Sequence, residues 1–157
     1  MPTLEKLLTG RPALTLPGSA STLDAARAMP EQHCGALLIV DAERRPLGIF
    51  TERDLMSRVV VTGRNPADVR IDSAMTRDLF VARVDAKIDD VRREMQRRHV
   101  RHLPIVTNDG RALAVLSLRD LLRFDLEERE HELQALHEYI GGTDAPSSGP
   151  SPRPSSF

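Results

Sequence analysis

Two stretches of this chain close an apolar run with a hydroxyl and set a carboxylate three residues later. They are Gly48-Ile49-Phe50-Thr51-Glu52-Arg53-Asp54 and Ala114-Val115-Leu116-Ser117-Leu118-Arg119-Asp120. In each, the apolar run reads as a strand and the hydroxyl stands where a helix opens. The first turn of a helix presents unpaired N–H donors and a partial positive charge, which suit a phosphate. The hydroxyl of Thr51 or Ser117 can add a hydrogen bond to the same anion. A carboxylate one turn in, Asp54 or Asp120, can accept from two vicinal hydroxyls, as a ribose requires. The same spacing also describes an ordinary capping box, in which the pair only satisfies the helix start. For one copy alone the capping reading is ahead; recurrence of hydroxyl, Arg and Asp moves the balance toward binding.

That recurrence extends well beyond the two motifs. Residues 14–56 fall on residues 80–122 without a gap when shifted by 66 positions. Identities include Asp24 on Asp90, Met29 on Met95, His33 on His99, Leu37 on Leu103 and Arg53-Asp54-Leu55 on Arg119-Asp120-Leu121. An internal repeat of this kind dictates the architecture. Each copy, at roughly 60 residues, would bury a marginal core alone, so the two are expected to share one.

Each copy reads as β-α-β-β-α, giving an α+β fold of two halves about a pseudo-twofold axis, with paired sites where they meet. In the first, Leu14 to Leu16 is extended up to Pro17-Gly18, and Ser19 or Ser21 can cap a helix whose Thr22, Ala25, Ala26 and Met29 share one face. Pro30 should kink or end that helix. Ala36 to Val40 and Leu47 to Thr51 are strands, and Glu52 to Val60 is a helix. In the second, Leu79 to Ala82 is extended and Asp85 caps a helix turning Ile88, Val91 and Met95 inward. Leu103 to Val106 and Leu113 to Ser117 are strands joined by the turn Asn108-Asp109-Gly110. A short helix over Thr3 to Leu8 precedes the first copy. A last helix is expected from Leu118 to about Ile140, with Leu122, Leu126, Leu133, Leu136 and Ile140 near one side. That side suits either its own domain or a dimer contact, although the polar gap at Arg129 and Glu130 speaks against a sustained coiled coil. The expected divisions are 1–61, 62–124, a helical extension over 125–141 and a disordered Pro- and Ser-rich tail over 142–157.

Composition narrows the partners. The chain has 157 residues, 40% of them apolar and 29% charged, with a net charge of −1, which gives no global pull toward nucleic acid or membrane. No apolar run reaches the ~18 residues of a transmembrane helix. The first ten residues lack a signal-peptide core, so the cytoplasm is the expected location. The single cysteine, Cys34, adjoins an apolar run and reads as a buried small hydrophobe.

With these residues in view, the chain resembles a tandem pair of cystathionine-β-synthase-type (CBS) domains, a Bateman module. The family pattern is an amphipathic helix, a strand with an apolar-Pro-Val core, a turn, and a strand ending Gly-apolar-apolar-Thr-x-x-Asp. Arg101-His102-Leu103-Pro104-Ile105-Val106 and Gly48 through Asp54 match it, and the resemblance covers about residues 3–124. It implies a non-catalytic regulatory module that binds an adenine nucleotide (AMP, ADP, ATP) or a related adenosyl compound between the two repeats. Thr51 and Ser117 then resemble phosphate contacts, and Asp54 and Asp120 ribose contacts. It further implies a homodimer that signals to another protein through a change of conformation or assembly. Two departures stand out: Leu38 occupies the place of Pro104, and Ala114 replaces the motif glycine, where its methyl group would crowd a ligand near Ser117.

Other chemistries find less support. Arg101 and His102, at the mouth of a strand, could lend positive charge to a phosphate. Arg92, Arg93, Arg97 and Arg98 read mainly as a solvated helix face. Nucleic-acid binding there would lack the aromatic side chains that stack on bases. His99 and His102 straddle a helix–strand junction and His131 and His137 point apart, so no metal site is expected. No Gly-x-Ser-x-Gly elbow points to a catalytic nucleophile. The remaining alternative is an interaction scaffold whose clefts no longer take nucleotide.

Overall fold

The structure, a computed structural model, describes residues 2–8, 10 and 12–142. A 3-10 turn at Leu4–Leu7 precedes the first repeat, which comprises β1 (Thr15–Pro17), α1 (Thr22–Glu31), β2 (Ala36–Val40), β3 (Pro46–Thr51) and α2 (Glu52–Asp54). The α2 helix widens at once into π-type turns over Leu55–Val60. A connecting helix α3 (Ile71–Ala74) leads to β4 (Ala82–Arg83), α4 (Ile88–Arg98), β5 (His102–Val106), β6 (Ala112–Ser117) and α5 (Leu118–Gly141). Each repeat forms a three-stranded sheet whose middle strand pairs parallel with the first strand and antiparallel with the third. The expected α+β class and the duplicated strand–helix–hairpin order are both present.

Local chemistry explains the elements. Ser21 caps α1 in a complete box: its Oγ accepts from the Asp24 amide at 3.1 Å, and Asp24 accepts from the Ser21 amide at 3.0 Å. Thr22, Ala25 and Met29 are buried on the inner face of α1, and Ile88, Val91 and Met95 on that of α4. Pro30 lies inside α1, in its last turn, where only one intrahelical donor is lost. His33 and His99 end the two helices in left-handed conformation, at φ 53° and 54°. The amides that follow, of Cys34 and Val100, close the turn on Met29 and Met95 carbonyls at 3.0 and 3.1 Å. The duplicated histidines are thus helix terminators.

Three expectations are corrected. Asp85 does not cap α4: Lys87 holds that position without a side-chain cap, and Asp85 pairs with Arg83. Leu79 to Val81 are not part of β4, which is confined to Ala82–Arg83. The reason lies in the Leu38/Pro104 difference. Leu38 donates its amide to the Leu14 carbonyl at 2.9 Å and supports the Thr15–Leu38 pair. Pro104 has no amide to give, so pairing in the second sheet begins one step later, at Ala82–Ile105. Cys34, finally, is only partly buried against the core rather than enclosed in it.

The repeats exchange their lead-in segments. Thr76, on the way into the second repeat, makes two backbone bonds with Ile49 of β3, at 2.8 and 3.0 Å. Ala13, on the way into the first, donates to Leu113 of β6 at 3.1 Å. Leu4 and Pro2 bond to Ala86 and Ile88 of the second repeat, with Leu4 fully buried. Ala36, Leu38 and Ile49 from one sheet and Ala112 from the other form a shared apolar cluster.

The chain divides into two compact units at Leu121, within α5. From Leu122 to Gly141 the second unit is helical, and Leu122, Leu126, Leu133, Leu136, Tyr139 and Ile140 are exposed along it. Of the expected tail over 142–157, residues 143–157 lie outside the described residues. Among the described residues no helix is long and apolar enough to cross a membrane, and no three potential metal ligands gather.

Candidate functional site

The two hydroxyl–carboxylate pairs occupy equivalent junctions between a strand and a helix. At the first, Thr51 Oγ1 accepts from the Asp54 amide at 3.2 Å while Asp54 Oδ2 accepts from the Thr51 amide at 3.0 Å and from its hydroxyl at 3.1 Å. At the second, Ser117 Oγ accepts from the Asp120 amide at 3.2 Å and Asp120 Oδ2 from the Ser117 amide at 2.8 Å. Both pairs therefore are capping boxes. In each, the first helical amide is held by a carbonyl at the start of the middle strand: Glu52 by Gly35 at 3.0 Å, Leu118 by Arg101 at 2.9 Å. A sugar-phosphate would have to share these groups with the helix starts. Thr51 can do so, because its oxygen can keep accepting from the Asp54 amide while its proton rotates from Asp54 to an incoming anion.

The surroundings differ between copies. Arg58 stands one turn beyond Asp54, with Nε 3.6 Å from Oδ1, and donates to the Ala74 and Met75 carbonyls at 3.2 and 3.0 Å. Asp54 is thereby tied to the lead-in of the other repeat, and its side chain is 14% exposed. The residue equivalent to Arg58 is Phe124, so the second copy has no cation at that helical position. The glycine difference also has an internal cause. A side chain at Gly48 would collide with Met75, with Cγ at 2.7 Å, and meet the Thr76 carbonyl at 3.0 Å. Gly48 leaves room for the chain's own lead-in, which crosses there. Ala114, at the equivalent position, is buried in β6.

His102 and Arg101 open β5 and separate in character. Arg101 is exposed, while His102 is half-buried beside Gly35, whose Cβ would lie 3.8 Å from His102 Nε2 and 3.5 Å from Glu52 Oε2. Burial lowers the affinity of the imidazole for a proton; Asp120 and Glu52 oppose this, and Arg101 adds to it, with a net downward shift. His102 therefore stands at the boundary between repeats with its proton held less tightly than in a free imidazole. Burial likewise raises the Cys34 thiol, the Ala36 amide opposes it, and Glu52 adds to the rise, so Cys34 is held protonated.

The arginines of α4 are largely matched on their own helix. Arg92 pairs with Asp89, Arg93 with Asp90, and Arg97 and Arg98 both with Glu94, whose carboxyl they hold at about 2. Arg98 also lies 4.6 Å over the Phe80 ring. Two surface depressions lie away from both capping boxes: one of about 500 Å³ bordered by Leu16, Asp41 and Arg70, and one of about 450 Å³ bordered by Arg45, Arg77 and Gly110. Sequence reasoning missed Arg58; its spacing of four from Asp54 on a helix was the available signal.

Comparisons with known proteins agree with this architecture. The CBS domain pattern matches residues 7–61 and 68–127. The mitochondrial CBS domain-containing protein CBSX3 of Arabidopsis thaliana is 31% identical over 123 residues, which cover 76% of this chain and 59% of that protein, so the match spans less than two thirds of its length. A CBS-domain-containing protein from Agrobacterium tumefaciens has a solved structure with TM-score 0.70 and 28% identity, covering 79% of this chain and 99% of that one. A CBS domain protein of Pyrobaculum aerophilum, solved in complex with AMP, shares the fold at TM-score 0.70 and 24% identity, covering 76% of this chain and 90% of that one. With two matched repeats spanning most of its length, and with the exchanged lead-in segments that join them, this chain belongs to the CBS domain family and carries a tandem pair.

Proposed function

We propose that the chain is a non-catalytic regulatory module that binds an adenosine-containing ligand, an adenine nucleotide or a related adenosyl compound, where its two repeats meet. The observation that carries this reading is the pair of equivalent strand ends, Thr51/Asp54 and Ser117/Asp120, each followed by a helix start, the first tied through Arg58 to the lead-in of the second repeat. In this reading Thr51 and Ser117 bond phosphate, Asp54 and Asp120 bond ribose hydroxyls, and His102 contacts the ligand as a neutral imidazole, with Arg101 supplying charge from the rim. The AMP in the Pyrobaculum complex supplies the ligand class to test first. Binding transmits a signal by favouring one relative arrangement of repeats or protomers of a cytoplasmic homodimer, read by a separate protein.

Thermal melting with AMP, ADP, ATP and S-adenosylmethionine tests it, because a ligand of the native state must raise the midpoint. A specific observation favours a second reading. Both carboxylates are already engaged in capping, and neither described depression is bordered by them. If no compound moves the midpoint, the module is an interaction scaffold. Nucleic-acid binding through α4 is the weaker alternative, since its arginines are matched by Asp89, Asp90 and Glu94.

A further inference from the structure

Helix α5 carries a self-complementary seam. From Leu122 its inner positions alternate steps of four and three: Leu122, Leu126, Arg129, Leu133, Leu136 and Ile140. The five apolar members are each more than half exposed, from 56% at Leu133 to 64% at Leu126. Such spacing is the heptad pattern of paired helices, here broken by one charged residue at a core position. What first reads as a polar gap is thus one position in an otherwise continuous stripe.

We propose that this seam pairs antiparallel with the same helix of a second copy of the chain, with Arg129 selecting that orientation. In a parallel pair Arg129 would face Arg129 of the second copy across a desolvated layer, which is costly for two like charges. Antiparallel pairing centred on His131 instead sets Leu122 against Ile140, Leu126 against Leu136 and Arg129 against Leu133, each twice. Every inner position then finds a partner, and the two arginines are separated. Glu130 and Glu132 flank the seam next to Arg129, so the two guanidinium groups lie among four carboxylates at the centre. That charge match identifies a second copy as the occupant. The seam is just under three heptads, short for a free-standing coiled coil, so the pairing is assigned to the full chain. It does not depend on the nucleotide reading.

Oxidative cross-linking of the full chain in a Cys34→Ser background tests this, using Leu126→Cys and Leu136→Cys proteins prepared separately. Disulfide-linked dimers should form at least tenfold more readily in a mixture of the two than in either alone, and Leu133→Asp added to both should abolish them. Arg129→Leu should let each protein link to itself. Self-linking of either protein with Arg129 present would show parallel pairing and overturn the proposal. So would an absence of links in the mixture with the helical circular dichroism signal unchanged.

Discussion

Asp54 and Arg58 form a bridge from a helix start in one repeat to the lead-in of the other: Nε lies 3.6 Å from Oδ1, and the guanidinium continues to the Ala74 and Met75 carbonyls. A residue that would grip a ribose is therefore also a structural tie between the halves. In the proposed reading, ligand binding and the relative position of the repeats would converge on one carboxylate.

Asp54→Ala is expected to lower stability by about 1–2 kcal/mol through loss of the cap and the Arg58 contact. Asp120→Ala, which loses the cap but no bridge equivalent to Arg58, should cost about 1 kcal/mol. Denaturant melts of the two variants check this; equal losses would show that the Arg58 bridge contributes nothing.

Gly48→Ala should destabilise by about 1–3 kcal/mol, because Met75 and the Thr76 backbone must move to admit the methyl group. The reciprocal Ala114→Gly should cost no more than about 1 kcal/mol, chiefly by loosening the unfolded chain. Chemical denaturation of both variants reads the asymmetry. A neutral Gly48→Ala would mean that the lead-in does not cross β3 closely.

His99→Gly should stabilise by about 0.5–1 kcal/mol, since glycine adopts the left-handed helix terminus at φ 54° without a Cβ penalty. The measurement is the shift in melting midpoint. A loss would mean that the imidazole contributes contacts outweighing the strain of its backbone.

The pH dependence follows from His102. Its proton affinity is lower in the folded chain than in the unfolded one, chiefly through burial, so the unfolded state takes up the proton first. Stability is unaffected by this group well above pH 6.5 and falls as pH drops below it. Comparing the stability–pH curves of the parent and His102→Asn between pH 5 and 8 should show a shallower acid-side slope in the variant. Identical slopes would place the imidazole in solvent.

Much of this fold was legible because the 66-residue offset forced each assignment to hold twice. Ala36–Val40 followed from a continuous apolar run of strand length, and the inward faces of α1 and α4 from helical periodicity. The parts that escaped depend on contacts distant in sequence. The length of β4 is limited by an amide that Pro104 lacks, which the spacing of residues 79–83 does not reveal. Asp85 has the chemistry of a cap, but α4 opens three residues later, at Ile88, and leaves it to Arg83. Gly48 was legible as a constraint, though not that Met75 imposes it. At the site, the residue types and their repetition were legible, while the Arg58 bridge and the burial of His102 arise only once the repeats pack together.

The most direct measurement is calorimetric titration of AMP into the parent chain and into a variant carrying both Asp54→Ala and Asp120→Ala. The account predicts saturable heat with the parent and none with the doubly substituted, still folded chain. Equal binding by the two proteins, or no heat from AMP, ADP, ATP or S-adenosylmethionine with the parent, would contradict it.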